Sequence, residues 1–169
     1  MSMELIIATF EQDENGANQV LERIKKLTKD KLLVVRDVAT IVKSKDGTVT
    51  VKDAGDIQAG RGAVFGAITG AIVGLLGGPV GAIAGAVAGA ATGGAAAKIA
   101  DYGVSNKMIN DVKNGLQPGS SAIIAYVELD WLNKALNRLE EAGATVYHET
   151  LEGDMAEELF KQAAPSSKQ

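Results

Sequence analysis

Glycine recurs every fourth residue through the middle of this chain. It stands at Gly62, Gly66, Gly70 and Gly74, and again at Gly81, Gly85, Gly89 and Gly93 after the break Gly77-Gly78-Pro79. No charge falls between Arg61 and Lys98, and the 36 residues between them hold 11 Gly, 12 Ala and ten larger apolar side chains. A four-residue period puts these glycines on one stripe of a helix. A stripe without side chains lets a second backbone approach closely, as in small-xxx-small packing between membrane helices. In a water-exposed helix each glycine would cost about 1 kcal/mol relative to Ala, so this repeat needs a partner surface. Flexible linkers are Ser-rich and polar and keep no phase. Gly77-Gly78-Pro79 breaks the helix and permits a turn. The pattern therefore predicts two antiparallel arms, 61–76 and 80–98, forming a glycine-zipper hairpin.

The arms differ. The first carries Phe65, Ile68, Ile72, Leu75 and Leu76 away from its glycines, a face suited to lipid or to a thick apolar partner. The second has only Val80, Ile83 and Val87 among small residues, which suits a helix sandwiched between others and implies a homo-oligomer. A membrane span needs ~20 apolar residues, and both arms fall at the short end of that range. The hairpin is expected to enter lipid, to re-enter from one side, or to be buried in a soluble assembly.

Outside the insert the chain reads as an ordinary α+β domain. Residues 3–10 form a short apolar, β-branched run, the mark of a strand. Over 13–29, Ala17, Val20, Leu21, Ile24 and Leu27 follow helical spacing, with Glu22, Arg23, Lys25, Lys26 and Lys29 on the outer face. A β-branched run over 32–43 and a clean alternation over 48–52 flank Asp46-Gly47, a hairpin signal. Val38, Thr40 and Val42 are expected to share a face with Val49 and Val51. Beyond the insert, Ser105 is a candidate N-cap for a short helix with Met108, Ile109, Val112 and Leu116 inside, ended by Gly115. Pro118-Gly119 marks a turn. A strand over 121–129, a helix capped by Asp130 and ended at Gly143, a strand over 144–149 and an acidic helix over 154–163 complete the order. The expected fold is a ferredoxin-like β-α-β-β-[glycine-zipper hairpin]-α-β core with an extra C-terminal α-β-α. Residues 1–58 and 101–163 are the two halves of the domain, 59–100 the insert, and 164–169 a polar tail.

The combination resembles a bacterial family of unknown function whose members are often labelled membrane proteins. The resemblance rests on the strand–helix–hairpin start, on the repeated Gly-Ala-x-x ending in Gly-Gly-Pro, and on Leu116-Gln-Pro-Gly-Ser-Ser-Ala-Ile-Ile leading into a strand. It covers roughly residues 3–150. It implies association with the bacterial inner membrane and no established reaction.

Charge and composition exclude several chemistries. With 17 basic and 21 acidic residues the chain carries a net charge of −4, and acids alternate with bases throughout, so no nucleic-acid surface is expected. It has no cysteine, hence no disulfide and no thiolate. The start Met-Ser-Met-Glu runs directly into a strand pattern without the basic and apolar regions of a signal peptide. His148 is the single histidine, which supports neither a multi-histidine metal cage nor an obvious triad. Gly60-x-Gly62-x-x-x-Gly66 superficially resembles a nucleotide-binding turn, but it follows no strand directly and has no acidic residue at the required distance. Glu149, Glu152, Asp154, Glu157 and Glu158 lack calcium-loop spacing and read as a solvated acidic face.

No catalytic, cofactor or metal residues are therefore expected. The leading expectation is a non-enzymatic, membrane-associated, self-assembling protein with its α+β domain in the cytoplasm. In that reading the eight glycines pack the hairpins together, and Phe65, Ile68, Ile72, Leu75 and Leu76 meet lipid. The alternative is a soluble cytoplasmic homo-oligomer with buried hairpins, whose α+β face binds a small ligand or a protein.

Overall fold

A sheet of five antiparallel strands carries three helices in the computed structural model, which describes residues 2–53, 83–84 and 103–151. In chain order the elements are β1 (Met3–Phe10), α1 (Gly16–Lys29), β2 (Val35–Lys43), β3 (Val49–Asp53), the two-residue β4 (Ile83–Ala84), α2 (Asn106–Gly115), β5 (Ser120–Glu128), α3 (Leu129–Glu141) and β6 (Thr145–Thr150). The sheet order is β4-β3-β2-β5-β1-β6. β4 pairs parallel with β3, and the other pairings are antiparallel.

β1 and β5 lie side by side at the centre, and neither alternates in sequence, because both of their faces are covered. On one face Ile6, Ala8 and Phe10 of β1 and Ile123, Ala125 and Val127 of β5 pack under Val20, Leu21 and Ile24 of α1 and Leu132, Ala135 and Leu139 of α3. On the other, Leu5 and Ile7 of β1 and Ile124 and Tyr126 of β5 are fully or almost fully buried. There α2 lies against β1 and β6 through a buried apolar stripe that includes Met108, Ile109 and Val112. Each such large side chain taken from water contributes about 1.5–3 kcal/mol.

The sheet order corrects the expected ferredoxin-like assignment. A core made of β1, α1, β2, β3, α2 and β5 requires β3 between β1 and β2. Instead β5 fills that place and β3 lies outside β2. Two β-α-β units interleave: β1-α1-β2 spans β5, and β5-α3-β6 spans β1. β5 wins the central position because it is apolar on both faces, whereas Thr50 in β3 is exposed and suits an outer strand. α3 and β6, expected as an appendage, are thus part of the central arrangement.

The β2–β3 register is also one residue from the expected one. Ile41 stands opposite Val51 and Lys43 opposite Val49, so the two valines share a face with Ala39 and Ile41. Val38 and Thr40 point to the other side, where Val38 joins the core under the helices and the Thr40 hydroxyl donates to Asn18 Oδ1 at 2.9 Å. The turn sets this register. Gly47 takes a φ of +87°, its N–H donates to Ser44 O, and Ser44 N–H donates to Thr48 O. Thr48 N–H donates to Asp46 Oδ1, and Thr48 holds that carboxyl below its ordinary value.

Helix ends follow local chemistry. Asp13 Oδ1 accepts from Asn15 and Gly16 N–H, so α1 starts at Gly16 rather than at 13. Ser105 caps α2 as expected, accepting from Met108 N–H at 3.0 Å. Asp130 does not cap α3: Glu128 holds the cap position without a side-chain hydrogen bond, and Asp130 lies in the first turn. β5 runs into α3 with no intervening loop. Gly143, with φ +86°, ends α3 as expected.

Ile83–Ala84 is extended where a helical arm over 80–98 is expected. The outer edge of β3 offers unpaired backbone groups, and these two residues meet it at Val49 and Thr50.

Candidate functional site

A cavity of about 400 Å³ opens between α1 and α3 on the sheet. Ligand pockets run ~300–1,000 Å³ with mostly apolar linings. The floor is Ile6, Ala125 and Val127, and the walls are Val20, Ile24 and Leu27 of α1 and Ala135 and Leu139 of α3. Ala125 and Ala135 leave the volume that larger residues would fill. Leu32, Leu33 and Val35 close one end.

The mouth is charged. Arg23, Lys26 and Asp30 approach it from the α1 side, Arg138 and Glu141 from α3. Arg138 Nη1 bonds Glu141 Oε2 at 3.0 Å. Arg23 and Lys26 have no ion-pair partner among the described residues. Leu32 is 48% exposed, one of two large hydrophobic residues so exposed among those described.

The turn that presents Leu32 is a helix stop built without glycine. Leu32 N–H donates to Leu27 O and Lys31 N–H to Thr28 O, the paired bonds of a Schellman motif. The residue in the left-handed position is Lys31, at φ +57°. The motif fixes Leu27 and Leu32, both at the cavity, relative to each other.

Two polar clusters are structural. Ser121 Oγ accepts from Ala17 N–H at 3.0 Å and donates to Asp13 O at 2.6 Å, and Ser120 Oγ accepts from Gln12 N–H. These two buried serines of the Pro-Gly-Ser-Ser-Ala stretch thereby clamp the β1–α1 connection to β5. Pro118-Gly119 before them makes the expected turn, with Gly119 at φ +86° and Ser120 N–H donating to Gln117 O. Glu149, expected on a solvated acidic face, instead accepts from both Ser105 N–H and Ser105 Oγ and holds the start of α2.

His148 is half-exposed. Its Nδ1 lies 3.4 Å from Oε2 of the buried Glu4, whose Oε1 accepts from Thr150 at 2.6 Å. Burial pushes the neighbouring Tyr147 phenol above its ordinary value. Among the described residues no group of three or more His, Asp or Glu could hold a metal ion, and no helix is long and apolar enough to cross a membrane.

The expected packing residues Gly62, Gly66, Gly70, Gly74, Gly81, Gly85, Gly89 and Gly93 lie outside the described residues. So do Phe65, Ile68, Ile72, Leu75 and Leu76, the acidic positions 152–158 and the last expected helix. No motif in the sequence marks the cavity. Arg23 and Lys26 read as a solvated helix face and Leu32 as the start of a strand. The available signal was the pair of small residues, Ala125 and Ala135, at positions where the pattern calls for core.

Residues 63–164 match the family model described as a protein of unknown function, DUF1269. The chain belongs to this family. The DUF1269 match begins inside the glycine repeat and takes in α2, β5, α3 and β6, so it includes the serine clamp and one wall of the cavity. It confirms the expected unknown-function family over a span shifted toward the C-terminus. No curated protein and no solved structure matches the chain.

Proposed function

We propose that the protein is a non-enzymatic binding module whose α+β domain takes an apolar guest between α1 and α3. The cavity carries this reading: a large apolar space within a packed core, with its charges confined to the mouth. Larger side chains there would bury more apolar surface, worth about 25 cal/mol per Å². Keeping small residues there makes sense if a guest fills it. The interleaved β1-α1-β2 and β5-α3-β6 units, read as a ferredoxin-like arrangement, give the site a rigid floor.

The glycine repeat adds a second property. Its four-residue spacing supports helical hairpins that pack copies of the chain together, with Phe65, Ile68, Ile72, Leu75 and Leu76 toward lipid or a partner. On this reading the protein is a homo-oligomer at the bacterial inner membrane with its α+β domain in the cytoplasm.

The test is occupancy of the cavity by a neutral solvatochromic dye. The parent should bind the dye and shift its emission. Ala135→Phe should lose that binding, keep its circular dichroism spectrum and melt at an equal or higher temperature, because filling a cavity commonly adds about 0.5–2 kcal/mol. Unchanged dye binding in a folded Ala135→Phe protein would place the dye elsewhere and remove the support for this function.

A further inference from the structure

We infer that the guest is an amphiphile with an anionic head, a fatty-acid-like carboxylate whose tail enters the cavity and whose head meets Arg23 and Lys26. This deepens the proposal above and rests on the cavity being a binding site. The deep part of the cavity, formed by Ile6, Ala125 and Val127, offers only apolar side chains, which suits an alkyl tail. Charge enters only at the mouth, so the polar end of a guest must lie there. The exposed Leu32 at that mouth would be covered by the upper part of the tail.

The sign of the head follows from the mouth's own charges. Arg23 and Lys26, Arg138, Asp30 and Glu141 sum to one positive charge. Arg138 is engaged by Glu141 at 3.0 Å, which leaves Arg23 and Lys26 against Asp30. Arg23 and Lys26 stand three residues apart, hence on one side of α1, and neither is paired to a described residue. Asp30 sits at the helix C-cap, where the carbonyl ends are also negative. That end repels an anion and directs it one to two turns back, to Arg23 and Lys26. Hydrogen bonds to charged groups are the stronger kind, and a guanidinium beside an ammonium gives a carboxylate several donors.

Three probes with one tail and different heads test this on the full chain: laurate, dodecanol and dodecyltrimethylammonium, titrated below their micelle-forming concentrations. Laurate should bind roughly tenfold more tightly than dodecanol, the range of a charge-assisted bond, and the ammonium most weakly. In the double variant Arg23→Gln, Lys26→Gln, laurate and dodecanol should bind alike. Ala135→Phe should exclude laurate. Dodecanol binding without preference for laurate in the parent would overturn the anionic head and leave the cavity proposal standing. Binding of none of the three would overturn both. Laurate bound equally by folded Ala135→Phe would place it outside the cavity and overturn the inference.

Discussion

Gly115 shows how one absent side chain can position a helix. A Cβ on it would lie 2.8 Å from Thr9 Oγ1 and 3.3 Å from Thr9 Cβ, in the buried seam between α2 and β1. α2 ends at Gly115 as expected, and the glycine also allows close approach. Gly115→Ala should therefore destabilise the domain by about 1–3 kcal/mol, the usual cost of overpacking, although Ala is the better helix former by ~1 kcal/mol. Denaturant unfolding measures this, and Thr9→Ala in the same chain should recover much of the loss. Equal stability of Gly115→Ala and parent would mean that α2 does not approach β1 this closely. Gly16 is a second such contact, where a Cβ would meet the Phe10 ring at 2.7 Å. The sequence alone marks these glycines but cannot say which are turns and which are contacts, because that depends on a neighbour distant in the chain.

Elements were legible where their signal is local. The strand over 3–10, the Ser105 cap, the Asp46-Gly47 turn and the Gly143 stop are all where the residues put them. Pairing was not, because β1 and β5 are apolar on both faces and carry no alternation to fix a face or a neighbour. The register of β2 and β3 was missed for a related reason: β3 alternates, but β2 is apolar on the adjacent positions Ile41 and Val42, so the loop geometry decides parity. The stop of α1 hides in the same way, since Lys31 holds a position usually taken by glycine. A non-glycine residue in the left-handed region costs roughly 1–2 kcal/mol. Lys31→Gly should thus raise stability by up to ~1 kcal/mol after the added flexibility of the unfolded chain is offset. Thermal unfolding reads this directly, and a clear loss of stability would show that Lys31 contributes through its side chain.

The whole molecule joins two kinds of packing. The α+β domain packs apolar side chains on both faces of its sheet, and the insert carries a repeat suited to packing backbones. The candidate site was illegible in the sequence because it is a property of what α1, α3 and the sheet leave unfilled. Arg23, Leu32 and Ala135 come from three separate segments and share no motif. The insert is the reverse case, conspicuous in sequence and, apart from Ile83–Ala84, outside the described residues. If the glycine stripes pack hairpins together, Gly85→Leu or Gly89→Leu should break the assembly, because a leucine holds the facing backbones apart. The α+β domain should stay folded. Phe65→Leu or Ile72→Leu should be mild, as these changes are far less disruptive in volume. Mass measurement with circular dichroism separates these outcomes, and glycine variants that assemble like the parent would remove the packing role of the repeat.

Where a guest sits decides whether the space between α1 and α3 is a binding site. Methyl nuclear magnetic resonance of the intact protein during titration with dodecanol locates it. Shifts should concentrate on Ile6, Ile24, Leu32, Val127 and Ala135, which line the cavity. Ile7, Ile109 and Ile124, buried on the opposite face of the sheet, should stay in place. Saturable shifts confined to the first group are the predicted result. Shifts centred on the second group, or none at all, would contradict a binding site between α1 and α3.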